Sequence, residues 1–175
     1  MSDSSLEQQV VSQAREAQSR YYGKYSGLVT DNNDPEELGR IKARVPAVLG
    51  DAETFWARPA VPFAGKGHGL VLLPEVDDGV WIEFEAGDLS SPIWSGAWWA
   101  SGELPSDGGV GKRALVTSKG HKVILDEDGD IVQLKHPGGG EITMTSTDIT
   151  IKIGSAQIVL SATGVNINNG AFTVL

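Results

Sequence analysis

Cysteine is absent from the 175 residues. This removes disulfides, thiolate metal ligands and a cysteine nucleophile together. No apolar run approaches the roughly 18 residues that a membrane-crossing helix requires. Met1-Ser2-Asp3-Ser4-Ser5 has neither the basic stretch nor the apolar block of a signal peptide. The chain is therefore expected to be made as a soluble species, and the absence of cysteine fits assembly in the cytoplasm. Basic residues are scarce too: 14 Lys and Arg against 23 Asp and Glu leave a net charge of −9. Nucleic-acid binders draw most of their affinity from neutralising phosphates, so this balance argues against such a partner. What is plentiful is glycine, at 22 residues, set between short apolar alternations. The composition is that of a β-rich protein with enough hydrophobic side chains for a core.

The first segment, Ser4 to Tyr22, carries Leu6, Val10, Ala14, Ala17 and Tyr21 at intervals of three and four. That spacing predicts a short amphipathic helix. From Tyr25 the period changes to two. Leu28-Val29 runs into the turn signal Asp31-Asn32-Asn33-Asp34-Pro35. Ile41, Ala43 and Val45 alternate with Arg40, Lys42 and Arg44, the pattern of a half-buried strand. Trp56 to Gly69 reads as a long loop, and Leu70 to Pro74 as a strand entering a tight turn. Val80, Ile82 and Phe84 oppose Trp81, Glu83 and Glu85, and Pro92 to Trp99 completes a set of five strands. Five short strands with turn signals between them suit a small closed barrel of the OB type.

After the Gly-rich connector that opens at Ala100, seven short apolar alternations follow at a spacing of about seven to nine residues. They are Val123–Leu125, Ile131–Leu134, Ile142–Met144, Ile149–Ile153, Ile158–Leu160, Val165–Ile167 and Phe172–Val174. A single chain of such strands buries one thin face and has open edges. Copies wound together complete a shared interior, as stacked repeats do. The expected organisation is a helical segment at 1–22, a barrel at 23–99, a connector at 100–116 and a β-helical spike at 117–175. Because side chains alternate, one face must be chosen. Ile142, Met144, Ile149, Ile151, Ile153, Ile158, Leu160, Val165 and Ile167 are expected to form the core of the oligomer, with Thr150 and Lys152 facing solvent.

Several stretches look like catalytic or ligand sites and are better read otherwise. Asp126-Glu127-Asp128-Gly129-Asp130 resembles a calcium loop, but Pro137 occupies the place of the loop's closing Glu. A hairpin turn at Asp-Gly is expected instead. Gly65-Lys66-Gly67-His68-Gly69 lacks the Gly-Lys-Ser/Thr ending of a phosphate loop and reads as a flexible loop. His68, His121 and His136 are far apart in sequence, and no nucleophile elbow is present. No catalytic residue, cofactor or metal is expected. The five Trp residues leave a second reading, an OB module that binds carbohydrate or nucleic acid by stacking. Packing is the favoured role for them. A small hydrolase is a third reading, with no motif behind it.

The residues Tyr22-Gly23-Lys24-Tyr25-Ser26-Gly27-Leu28-Val29, Asp34-Pro35-Glu36-Glu37-Leu38-Gly39-Arg40-Ile41 and Trp56-Ala57-Arg58-Pro59 continue into Leu73-Pro74-Glu75-Val76. Val80-Trp81-Ile82-Glu83-Phe84-Glu85-Ala86-Gly87-Asp88 and Pro92-Ile93-Trp94-Ser95-Gly96 follow. In this order and spacing they resemble the baseplate assembly protein V family of contractile-tailed phages, and the spikes of type VI secretion and extracellular injection systems. Thr117-Ser118-Lys119-Gly120-His121-Lys122-Val123-Ile124-Leu125-Asp126 is similar to the family's passage into its β-helix. The resemblance implies an all-β, non-enzymatic homotrimer: an OB barrel followed by an intertwined β-helix or β-prism needle. It would be the central spike of a contractile machine, seated on the tube or hub ring among other baseplate proteins. It would carry a small tip protein and touch the target membrane transiently during puncture. Phe172, Val174 and Leu175 are the expected tip platform. Arg40, Lys42 and Arg44 form a basic row expected to meet a neighbouring subunit. The gap from Ala100 to Gly111 is too short for the lysozyme domain that some phage members insert there.

Overall fold

The computed structural model describes residues 8, 9, 11, 12 and 19–174. Contacts divide the chain into two compact units, Met1–Gly102 and Glu103–Leu175. Gln8, Gln9, Val11 and Ser12 are helical and exposed, while most of the helix expected over Ser4–Tyr22 lies outside the described residues. That helix does not extend to Tyr21. The backbone there is irregular, the Tyr21 N–H donates to the Gly87 carbonyl at 3.0 Å, and the ring meets Phe84 edge-on at 6.4 Å.

The first unit is built on a five-stranded sheet. Its strands are β1 (Tyr25–Asp31), β2 (Lys42–Arg44), β3 (Arg58–Pro59), β6 (Gly79–Phe84) and β7 (Pro92–Trp98), in the order β2-β1-β6-β7-β3. Ile41 and Ala57, just before β2 and β3, exchange both backbone hydrogen bonds at 3.2 and 2.7 Å. The two outer strands are thereby joined and the sheet curls into a barrel. Alternation decides what fills it. Ile41, Ala43, Val45, Ala57, Val80 and Ile82 are fully buried, and Val29, Phe84 and Trp94 complete the cluster. Register slips between Val29 and Asp31 and between Val80 and Ile82 are bulges, which bend a strand as a small barrel demands. Gly79 is required by close approach: a Cβ there would sit 2.6 Å from the Trp98 ring.

Two expectations change in this unit. Leu70–Pro74 pairs with no strand, and its aliphatic side chains are exposed. The fifth strand is instead β3, inside the stretch read as a loop; with two residues it is too short to show an alternation. The glycine-rich stretch is also more ordered than expected. β4 (Ala64–Gly65) and β5 (His68–Gly69) pair antiparallel as a separate hairpin.

The second unit is one eight-stranded antiparallel meander. Its strands are β8 (Lys112–Val116), β9 (Lys122–Asp126), β10 (Ile131–Lys135), β11 (Gly140–Met144), β12 (Asp148–Ile153), β13 (Ala156–Ser161), β14 (Gly164–Ile167) and β15 (Phe172–Val174). All seven expected alternations are strands. The eighth, β8, falls in the segment read as connector, where a Lys-Arg start hides its period. Each strand pairs with its sequence neighbours, so within this sheet β8 and β15 are the two edge strands. What the sheet leaves uncovered is a face.

Candidate functional site: an exposed apolar sheet face

Register places the side chains of the meander in rows across the strands. One row runs Leu125, Val132, Met144, Ile149, Leu160, Val165 in directly opposed pairs. A second, two residues along each strand, runs Leu115, Val123, Leu134, Ile142, Ile151, Ile158, Ile167, Phe172. Ile153 lies opposite Ala156 in a third, partial row. All nine residues expected in the oligomer core therefore share one face. The opposite face carries Gln133, Thr143, Thr150, Val159 and Asn166 in one row and Lys122, Lys135, Glu141, Lys152 and Gln157 in another. Thr150 and Lys152 thus point away from the apolar rows.

Among the described residues of the second unit nothing covers those rows. Twelve of their large hydrophobic side chains are exposed, among them Leu134 at 53%, Ile151 at 48% and Leu160 at 47%. A monomer that keeps a continuous aliphatic face of this size in water is prone to associate. Covering a half-exposed aliphatic side chain gains about 1 kcal/mol, so burying the face is worth on the order of 10 kcal/mol per chain. The face is also concave at one end. A hollow of about 720 Å³ is lined by Leu134, Ile142, Ile151, Ile158 and Ile167, with His121 and His136 at its rim. The apolar lining suits the side chains of another protein surface.

The remaining sequence candidates are held inside their own unit. Asp34 is buried and receives the Glu36, Leu38 and Arg40 backbone N–H groups at 2.8–3.2 Å. Arg40 closes on the same carboxylate through Nε and a terminal nitrogen, and also pairs with Glu36 at 3.0 Å. The Arg40 guanidinium, opposed by burial and helped by the three N–H donors, holds the Asp34 carboxyl far below its ordinary range. Arg40 is thus engaged within its own chain and does not form a free row with Lys42 and Arg44. Lys42 lies over the Trp56 ring at 5.0 Å and near Glu53 at 3.9 Å, which leaves Arg44 as the exposed cation.

Three of the five tryptophans are engaged within the barrel, while Trp99 is exposed at 65%. Trp94 is in the core and donates to the Gly39 carbonyl at 3.1 Å; Trp98 packs on Gly79 and donates to the Val80 carbonyl at 3.1 Å. Trp56 lies beneath Arg40 and Lys42. The acidic stretch Asp126–Asp130 is the β9–β10 hairpin turn, where Asp126 pairs with Lys112 at 2.8 Å and accepts the Gly129 N–H. His121 and His136 meet edge-on at 4.9 Å, and the Gly138 N–H donates to His136 Nδ1. Among the described residues no group of three or more His, Asp or Glu side chains is placed to hold a metal ion. Phe172 is exposed on the outer strand β15; Leu175 lies outside the described residues.

The described residues thus form a closed five-stranded barrel and a sheet with one uncovered aliphatic face. Two family models match the chain in these places. Residues 25–99 match the injector OB domain of the type VI secretion system and phage baseplate, and residues 112–173 match the phage baseplate V C-terminal trimerisation domain. The chain belongs to the phage baseplate V family, a family of structural baseplate injector proteins, and carries its trimerisation domain. A comparison with curated proteins found no match.

Proposed function

We propose that this protein is the central spike of a contractile injection machine, and that the two aliphatic rows of the meander close around the threefold axis of its trimer. The observation that carries the reading is the uncovered face itself. It runs unbroken across eight strands in the segment that matches a trimerisation domain. Three copies hide the rows from water and leave the Thr, Lys and Gln rows outside. At ~4.8 Å per strand, eight strands span roughly 34 Å, a short needle. A separate tip protein would extend its reach, docking on three copies of Phe172, Val174 and Leu175 around the open edge of β15. The barrel would seat on the tube or hub ring among other baseplate proteins. Arg44, with Lys42 beside it, would meet an acidic rim there or on a neighbouring copy. Assembly in the cytoplasm and transient contact with the target membrane complete the role, which needs no catalysis.

The test is capture of the small tip protein encoded with the same machine, using the full chain and a version ending at Gly170. The full chain is expected to retain the tip and the shortened one to lose it. Equal retention by both would remove the platform from the account.

A further inference from the structure

Between its anchors on the barrel, the first unit throws out an arm that its own domain does not support. The arm leaves where the Ala60 N–H donates to the Trp94 carbonyl at 2.8 Å, and returns where Asn32 Nδ2 donates to the Pro74 carbonyl at 2.9 Å. Every residue from 62 to 73 is exposed. The arm is nevertheless ordered from within. β4 and β5 pair as a hairpin, the Leu70 N–H donates to the Phe63 carbonyl at 2.9 Å, and the Phe63 and His68 rings lie 5.3 Å apart. What this frame presents is apolar: Phe63, then Leu70, Val71, Leu72 and Leu73 without interruption, then Val76, with Val71 at 85% exposure.

We infer that this arm is an inter-subunit clasp that packs on the barrel of a second copy of the same chain. The inference rests on the trimer reading above. Four consecutive exposed aliphatics invite aggregation unless they are covered as the protein assembles. The partner always present at that moment is another copy. Barrels joined to a common trimerisation domain through the short segment 103–111 meet each other at an effective concentration in the millimolar range. A partner recruited later from solution has no such advantage. The composition agrees. Permanent interfaces are the apolar ones, whereas transient ones keep charged rims, and between Phe63 and Leu73 the only cation is Lys66. The arm, 13 residues folded back on itself between 61 and 73, reaches about 20 Å, enough to cross to an adjacent barrel.

The test places photoreactive benzoylphenylalanine at position 72 of the full chain and illuminates the purified protein after its mass has been measured by light scattering. Covalent dimers of the chain from a trimeric sample are the expected result. A trimeric sample without chain-to-chain products overturns the clasp and leaves the trimer standing. A monomeric sample overturns the trimer reading and the clasp with it. A second measurement avoids the artificial side chain. Backbone amides of Leu70–Leu73 should exchange at least tenfold faster in an Ile151→Asp monomer than in the native trimer, and equal rates would contradict the clasp.

Discussion

The Asp34 carboxylate receives three backbone N–H groups and the Arg40 guanidinium, and so fixes the turn that aims Ile41 into the barrel. Its pKa in the fold lies far below its unfolded value of about 3.9. The stabilisation from this ionised group is therefore complete above about pH 5 and is lost as pH falls through the unfolded value and below. Asp34→Asn should lower barrel stability at neutral pH and flatten its fall between about pH 5 and 2. Urea midpoints of both proteins across that range measure the difference. An unchanged acid slope would mean that the carboxylate is not the titrating support. Gly79 offers a steric test of the same barrel. Gly79→Ala drives a methyl into the Trp98 ring, and should cost about 1–3 kcal/mol, read as a lower urea midpoint with the same slope.

At the level of elements, strands with a clear two-residue period could be read directly. Ile41-Ala43-Val45 and Val80-Ile82-Phe84 alternate because one side of each strand faces the barrel interior. The seven meander strands alternate because one side of the sheet must be covered. The elements that could not be read have little or no pattern of their own. β3 is two residues long and is set by its parallel pairing with Ile93 and Trp94. Leu70–Leu73 has the composition of a strand but no partner, since its place in the sheet is taken. For the candidate site, the two-residue period and the strand register put the same nine side chains on one face. The sequence pattern included Arg40 in the basic row because Asp34, six residues earlier, shows no sign in sequence of folding back onto it. The face itself is open to test by symmetry of substitution. Thr150→Asp, on the polar side opposite Thr143 and Val159, should leave assembly intact, whereas Ile151→Asp should abolish it. Equal effects at the two positions would contradict the assigned faces.

The whole molecule joins a barrel that is complete by itself to a sheet that is not. Three copies carry three times −9, or −27 charges, which favours solubility once the aliphatic rows are hidden. In the proposed trimer those rows would supply the driving force for association, and Ile151→Asp would place three like charges in one dry layer with no partner. Light scattering after size exclusion tests this directly. The native chain should elute as a single species of about 55 kDa, three times the 18.5 kDa of one chain. Ile151→Asp should elute as a monomer whose barrel retains its near-ultraviolet tryptophan signal. A native protein that stays folded and monomeric at micromolar concentration, or an Ile151→Asp trimer of unchanged thermal stability, would contradict the account.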